Sequence, residues 1–159
     1  MLIRRFLPED GEVVAAMVYK TLREVSIQDY SEEYIEDLIF NWPAQYFISS
    51  SQVNHFYVLV DDDNGDKIVG CGTIGPYMER SDESILLSVF VHPAYQGRGL
   101  GRKILEALEA DEYFLRSKRI ELPASLSAEN FYLKMGYTYK NGKRKVNDHL
   151  LVEMEKLLY

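Results

Sequence analysis

Ile85-Leu86-Leu87-Ser88-Val89-Phe90-Val91, followed by His92-Pro93-Ala94-Tyr95-Gln96-Gly97-Arg98-Gly99-Leu100-Gly101-Arg102-Lys103, joins an apolar run to a helical pattern through a glycine-rich, cationic turn. The run is almost unbroken in apolar and β-branched residues, which predicts a strand buried on both faces. From about Arg98, apolar residues recur at three- and four-residue spacing through Ile104, Leu105, Leu108 and Phe114, which predicts one long helix. Gly97, Gly99 and Gly101 lie between the two patterns. Without a Cβ they can take unusual dihedrals and let a ligand approach the main chain. The first amides of a helix have no intrahelical acceptor, and the helix dipole favours an anion beside them. Arg98, Arg102 and Lys103 stand where that dipole disfavours a cation by about 0.3–1 kcal/mol each. Three cations there make sense if a polyanion sits between them and the dipole. The plain alternative is a tight βα turn with solvated basic side chains.

Two other phosphate loops fail on spacing. The dinucleotide fingerprint needs Gly-x-Gly-x-x-Gly, and here the third glycine comes one residue early. The Walker loop ends in Gly-Lys-Ser/Thr, whereas this chain has Gly101-Arg102-Lys103-Ile104.

Gln96-Gly97-Arg98-Gly99-Leu100-Gly101 resembles the Gln/Arg-x-x-Gly-x-Gly/Ala motif of the GNAT superfamily of N-acetyltransferases, and it follows Val91-His92-Pro93 as that motif follows Val-x-Pro. A second segment, Ala128-Glu129-Asn130-Phe131-Tyr132-Leu133-Lys134-Met135-Gly136-Tyr137, is similar to the family's Ala-x-x-Phe-Tyr-x-Lys-x-Gly-Phe/Tyr. The resemblance is strongest over residues 85–137 and extends in outline over the whole chain. One position departs from it, Ser125, where many members carry Asn.

The resemblance implies an α/β (α+β) fold: a single domain over residues 1–159, with a mixed central β-sheet flanked by helices and splayed central strands holding the cofactor. It implies an N-acetyltransferase that moves the acetyl group of acetyl-CoA to an amine by direct attack. The cofactor contacts it implies are the turn residues Gln96, Gly97, Arg98, Gly99, Leu100, Gly101 and Arg102, the strand residues Val89, Phe90 and Val91 at a bulge, and Ser125 and Tyr132. Tyr132 takes the place of the family's general-acid tyrosine; a phenol with pKa about 10 is protonated at neutral pH. The reading of Phe131 and Tyr132 as plain core aromatics stands beside it. Glu83 is the best-placed carboxylate for a base, against its reading as a solvated residue of the Ser81-Asp82-Glu83-Ser84 turn; a water chain is the third choice. A non-catalytic acyl-CoA binding or sensing module is the competing function.

The 159 residues are 47% hydrophobic and 27% charged, as in a globular protein with a substantial core. No stretch reaches about eighteen uninterrupted apolar residues, and the N-terminus has no apolar signal core, so a cytoplasmic location is expected and no membrane association. The formal net charge of −7 argues against nucleic acid and suits approach of a cationic small-molecule or peptide amine. A homodimer is compatible with the sequence. Cys71, the single cysteine, reads as a buried thiol. His92 precedes Pro93 and reads as structural; His55 and His149 lack metal-ligand spacing, and no metal is expected. The acidic loop Asp61-Asp62-Asp63-Asn64-Gly65-Asp66 fails the EF-hand pattern at both ends and reads as a hairpin turn.

Elsewhere the pattern predicts a strand at residues 2–6 and a helix after Pro8-Glu9-Asp10, with Val13, Val14, Met17, Val18 and Leu22 on one face. A second helix starts at Ser31 as N-cap and ends near Trp42 before Pro43. Strands follow at residues 55–60 and 67–74. After the central helix come a strand at 119–122, the helix of the second motif stopped by Gly136, and a terminal hairpin of residues 137–140 and 149–154 with Lys143-Arg144-Lys145 solvated in its loop.

Overall fold

The structure, a computed structural model, describes residues 1–158. Its strands are β1 Leu2–Arg5, β2 His55–Asp61, β3 Lys67–Pro76, β4 Glu83–Val91, β5 Arg119–Ala124, β6 Thr138–Tyr139 and β7 Val152–Leu157. Its helices are α1 Gly11–Glu24, α2 Glu32–Asn41, α3 Ala44–Val53, α4 Leu100–Glu109, α5 Glu112–Leu115 and α6 Glu129–Lys134. The strands make one mixed seven-stranded sheet in the order β1-β2-β3-β4-β5-β7-β6. The chain divides into two compact units, Met1–Thr73 with Ser88–Leu108, and Ile74–Leu87 with the chain from Glu109 onward.

In the first unit, β1 runs antiparallel to β2, from Leu2 opposite Val60 to Arg5 opposite Tyr57. Asp10 ends the lead-in to α1: its carboxylate takes both Arg4 Nη1 (2.8 Å) and Nη2 (3.1 Å) and the Leu7 amide (2.8 Å). Burial pushes this acid up, but those donors outweigh it and hold it below its usual range. Val14, Met17, Val18 and Leu22 of α1 are buried as their spacing predicts, whereas Val13 is 51% exposed. Ser31 caps α2 by accepting the Tyr34 amide at 3.1 Å, and the helix stops before Pro43 as expected. The sequence gives no sign of α3, because only Phe47 of its ten residues is buried and three serines interrupt its pattern. The acidic loop is a turn in which Asn64 and Lys67 amides bond the Asp61 and Asn64 carbonyls, with Gly65 and Asp66 left-handed.

Two expectations are corrected here. β3, with eight consecutive buried residues, is the strand shut off on both faces; in β4 only Ser84 and Leu86 are fully buried. The long helix is two, because Asp111 accepts the Tyr113 amide at 2.8 Å and caps a fresh start at α5. Gly70 and Gly72 explain how α4 seats on β3: a Cβ at either would come within 2.9 Å of Ile104.

In the second unit, β4 pairs parallel with β5 only from Glu83 opposite Arg119 to Ile85 opposite Glu121. The rest of β5 pairs with β7 alone, from Arg119 opposite Leu157 to Ala124 opposite Val152. The parallel ladder stops after these three pairs. Gly136, at φ +93°, ends α6 where expected and turns the chain into β6, which pairs antiparallel with β7. Arg144 is not simply solvated, since its guanidinium grips the Glu129 carboxylate at 2.7 and 2.9 Å. No helix among the described residues is long and apolar enough to cross a membrane.

Candidate active site

Ser88 of β4 has φ +55°, a left-handed conformation that costs a non-glycine residue about 1–3 kcal/mol and marks a bulge. Its carbonyl accepts the Cys71 thiol of β3 at 3.2 Å. Burial pushes that thiol up to about 12, against the lowering effect of a hydrogen bond from the Phe90 amide. One sulfur therefore takes a carbonyl and an amide of β4 where the regular ladder is broken. The His92 amide bonds the Val69 carbonyl of β3 at 2.7 Å. Residues 88, 90 and 92 thus present main-chain groups to β3, so Val89 and Val91 present theirs to the opposite edge. Of the three strand residues expected to meet the cofactor, Val89 and Val91 face away from β3 and the Phe90 amide does not.

The turn that follows is fastened at several points. Gln96 Nε2 reaches back to the Val91 carbonyl at 2.8 Å, so its side chain shapes the turn. His92 Nδ1 accepts the Ala94 amide at 3.0 Å. Burial, then the Lys67 and Lys20 charges, lower its pKa and favour the neutral imidazole that this bond needs, a structural role as expected. The Tyr95 hydroxyl donates to Asp61 at 2.7 Å, and Arg98 stacks over the Tyr95 ring at 4.9 Å. The acidic loop therefore anchors the turn, a role its sequence did not announce.

Gly97 and Gly99 have φ +77° and +75°, which explains both glycines; a Cβ at either would meet nothing within 4 Å. Gly101 is an ordinary first-turn residue of α4. The Lys103 amide bonds the Gly99 carbonyl at 3.2 Å and begins the helical ladder. Among the described residues, none of the amides of residues 97–102 donates a hydrogen bond. Six unpaired donors beside the exposed Arg102 and Lys103 form an anion cradle.

The remaining candidates lie in the second unit. Tyr132 of α6 is 4% exposed, and burial raises its phenol well above the ordinary range. Its ring meets Phe131 (centroids 5.1 Å apart) and Tyr137 (5.8 Å). Its hydroxyl has no hydrogen-bond partner among the described residues, and no fully shut-in side-chain polar atom there lacks one, so this oxygen keeps some contact with solvent. Ser125 is half-buried, with its hydroxyl 3.4 Å from that of Ser127. Glu83 has both oxygens engaged, one by Arg119 (2.8 Å) and one by Arg80 (3.0 Å). Arg119 also bonds Glu121 and, at 2.7 Å, Glu155, while Lys140 bonds Glu121 at 3.0 Å. Sequence reasoning missed this cluster, since its members become neighbours only once the β4, β5 and β7 registers are known.

A mixed sheet whose bulged strand runs through a left-handed glycine turn into a helix with unpaired first amides, among the described residues, defines a class of α/β proteins with an anion-suited βα turn. The chain belongs to the GNAT acetyltransferase family: the model of the acetyltransferase (GNAT) domain matches residues 52–139, more than half of its length. The PaiA N-acetyltransferase of Thermoplasma acidophilum, solved in complex with coenzyme A, shares the fold at TM-score 0.80 and 22% identity over 98% of each chain. A GCN5-related N-acetyltransferase of Rhodopseudomonas palustris matches at TM-score 0.79 and 24% identity, over 99% of this chain and 95% of that one. The YncA protein of Salmonella typhimurium, solved with its cofactor acetyl-CoA, matches at TM-score 0.67 and 18% identity, over 100% and 94%. A sequence search among curated proteins finds no match.

Proposed function

We propose that this chain moves the acetyl group of acetyl-CoA to an amine by direct attack. The observation that carries the proposal is the run of six unpaired amides at residues 97–102 beside Arg98, Arg102 and Lys103. It fits a pyrophosphate in charge, donor number and main-chain access. Two proteins of the same fold were solved with coenzyme A or acetyl-CoA, which supports this choice of polyanion. Acetyl-CoA supplies an activated acyl group as a thioester.

The amide of Val89, on the edge away from β3, holds the thioester carbonyl and stabilises negative charge as it grows there. Val91 contributes on the same edge, while Phe90 is left out because its amide is turned to Cys71. Ser125 contributes a hydroxyl to the cofactor arm in place of the family's Asn. Tyr132 donates a proton to the departing sulfur: burial keeps its phenol protonated, and among the described residues its hydroxyl is not committed to another group. Glu83 serves in the ion-pair cluster, where Arg119 at 2.8 Å and Arg80 at 3.0 Å hold its two oxygens towards guanidinium groups. Water takes the amine proton.

Thermal stabilisation by acetyl-CoA, followed by thiol release across a panel of amines, tests this function. Tyr132→Phe should lower kcat about 10²-fold; a loss under about threefold would remove the general-acid role. Binding with no turnover on any amine would make the chain an acyl-CoA binding module.

A further inference from the structure

We propose that Tyr137 is a positioning residue that fixes the ring of Tyr132 for proton transfer. The inference rests on the general-acid reading of Tyr132 and deepens it.

Tyr132 has no hydrogen bond at its hydroxyl among the described residues, so its aim comes from ring packing. Phe131, one ring neighbour, is itself half-exposed. Tyr137, the other, is 1% exposed and locked on every side. Gly136 at φ +93° reverses the chain, and the Tyr137 amide then bonds the Tyr132 carbonyl at 3.0 Å. That reversal brings the two rings to 5.8 Å at an interplanar angle of 71°, an edge-on contact. The Tyr137 hydroxyl donates to Glu109 at 2.8 Å. Lys156 bonds the same carboxylate at 3.0 Å and the Met135 carbonyl at 3.2 Å, and its ammonium lies 4.9 Å from the centre of the Tyr137 ring.

A phenylalanine would fill this part of the core without a polar atom to satisfy. The hydroxyl adds a fixed direction: it ties the ring to the end of α4 and, through Lys156, to β7. General acids must sit within about 0.5 Å and 10–20° of the productive geometry. A misplacement of about 1 Å can cost on the order of 10²-fold in rate. A locked neighbour is a means of holding that tolerance for a hydroxyl with no partner of its own.

Steady-state kinetics on single and double variants test this. Tyr137→Phe keeps the ring and removes the anchor, and should lower kcat about threefold to tenfold; Tyr137→Leu should lower it more. KM for acetyl-CoA should stay within about twofold in both. Glu109→Gln, which still offers an oxygen to the hydroxyl, should retain most of kcat, whereas Glu109→Ala should match Tyr137→Phe. In a Tyr132→Phe background the Tyr137 substitutions should cost less than twofold further, since the group they aim is gone. Equal losses in both backgrounds, or losses that fall on KM, would reduce Tyr137 to a packing residue and overturn the proposal. Wild-type turnover in Tyr132→Phe alone would overturn the general-acid reading itself, and the positioning role with it.

Discussion

Replacing Gly99 by alanine separates the two demands placed on the phosphate turn. Gly99 has φ +75°, and a built Cβ there touches nothing within 4 Å, so the substitution costs backbone strain and no steric clash. A left-handed residue with a Cβ loses about 1–2 kcal/mol. The alanine chain has less freedom to lose on folding, which returns about 0.4–1 kcal/mol. The net cost is about 1 kcal/mol, or a fall in Tm of about 2–4 °C for a chain of this size. Gly101 supplies the contrast. It lies inside α4 with no positive φ, where alanine is preferred over glycine by up to about 1 kcal/mol, so Gly101→Ala should hold or raise Tm. Differential scanning calorimetry of the ligand-free proteins measures both shifts, and titration calorimetry with coenzyme A then measures affinity. Gly99→Ala should bind at least tenfold more weakly, because a strained turn no longer aims its amides together. If Gly99→Ala melts no lower than wild type, or Gly101→Ala falls as far, the left-handed turn is not what these glycines serve.

The cations of the turn should act with opposite sign on stability and affinity. Arg102→Gln removes a positive charge from the wrong end of a helix and should raise the ligand-free Tm slightly, while lowering coenzyme A affinity about tenfold or more; a fall in both would contradict the cradle. Glu129 should contribute a defined acid sensitivity. Hydrogen bonds from Arg144, then Tyr139, hold it down to about 2, below its ordinary 4.5, so its contribution is full above about pH 4.5 and fades as pH falls towards 2. In thermal melts, the gap in Tm between wild type and Arg144→Gln should therefore close across that window; a gap independent of pH would refute the assignment.

The strand, turn and helix of the cradle were legible because apolar period, glycine spacing and misplaced charge all fall within one short segment. Family resemblance suggested a bulge near Val89, but nothing local marks Ser88, since a serine does not advertise a left-handed dihedral. α3 is invisible for a related reason: only one of its residues, Phe47, is buried, where pattern reading needs a stripe. The expectation of one helix through Phe114 failed at Asp111, whose capping bond looks in sequence like one more polar residue on an exposed face. Glu83 stands out in the sequence for its place beside the strand, yet its partner is Arg119, thirty-six residues away in sequence and opposite it in the sheet.

The close seating of α4 over Gly70 and Gly72 places a control on the cradle beneath it rather than in it. Those two positions touch no phosphate donor, and an alanine at either would look harmless in an alignment. A Cβ at Gly72 would nevertheless meet Ile104 at 2.9 Å and Leu108 at 3.0 Å, and one at Gly70 would meet Ile104 at 2.8 Å and the Phe90 carbonyl at 3.1 Å, so the α4 side chains must shift to take it. Since the unpaired amides ride on the first turn of that helix, their convergence would loosen as a group. If the proposed coenzyme A site is right, buried volume at β3 should change its affinity, which makes that strand a place where selection or an engineer could adjust binding without altering a residue of the turn.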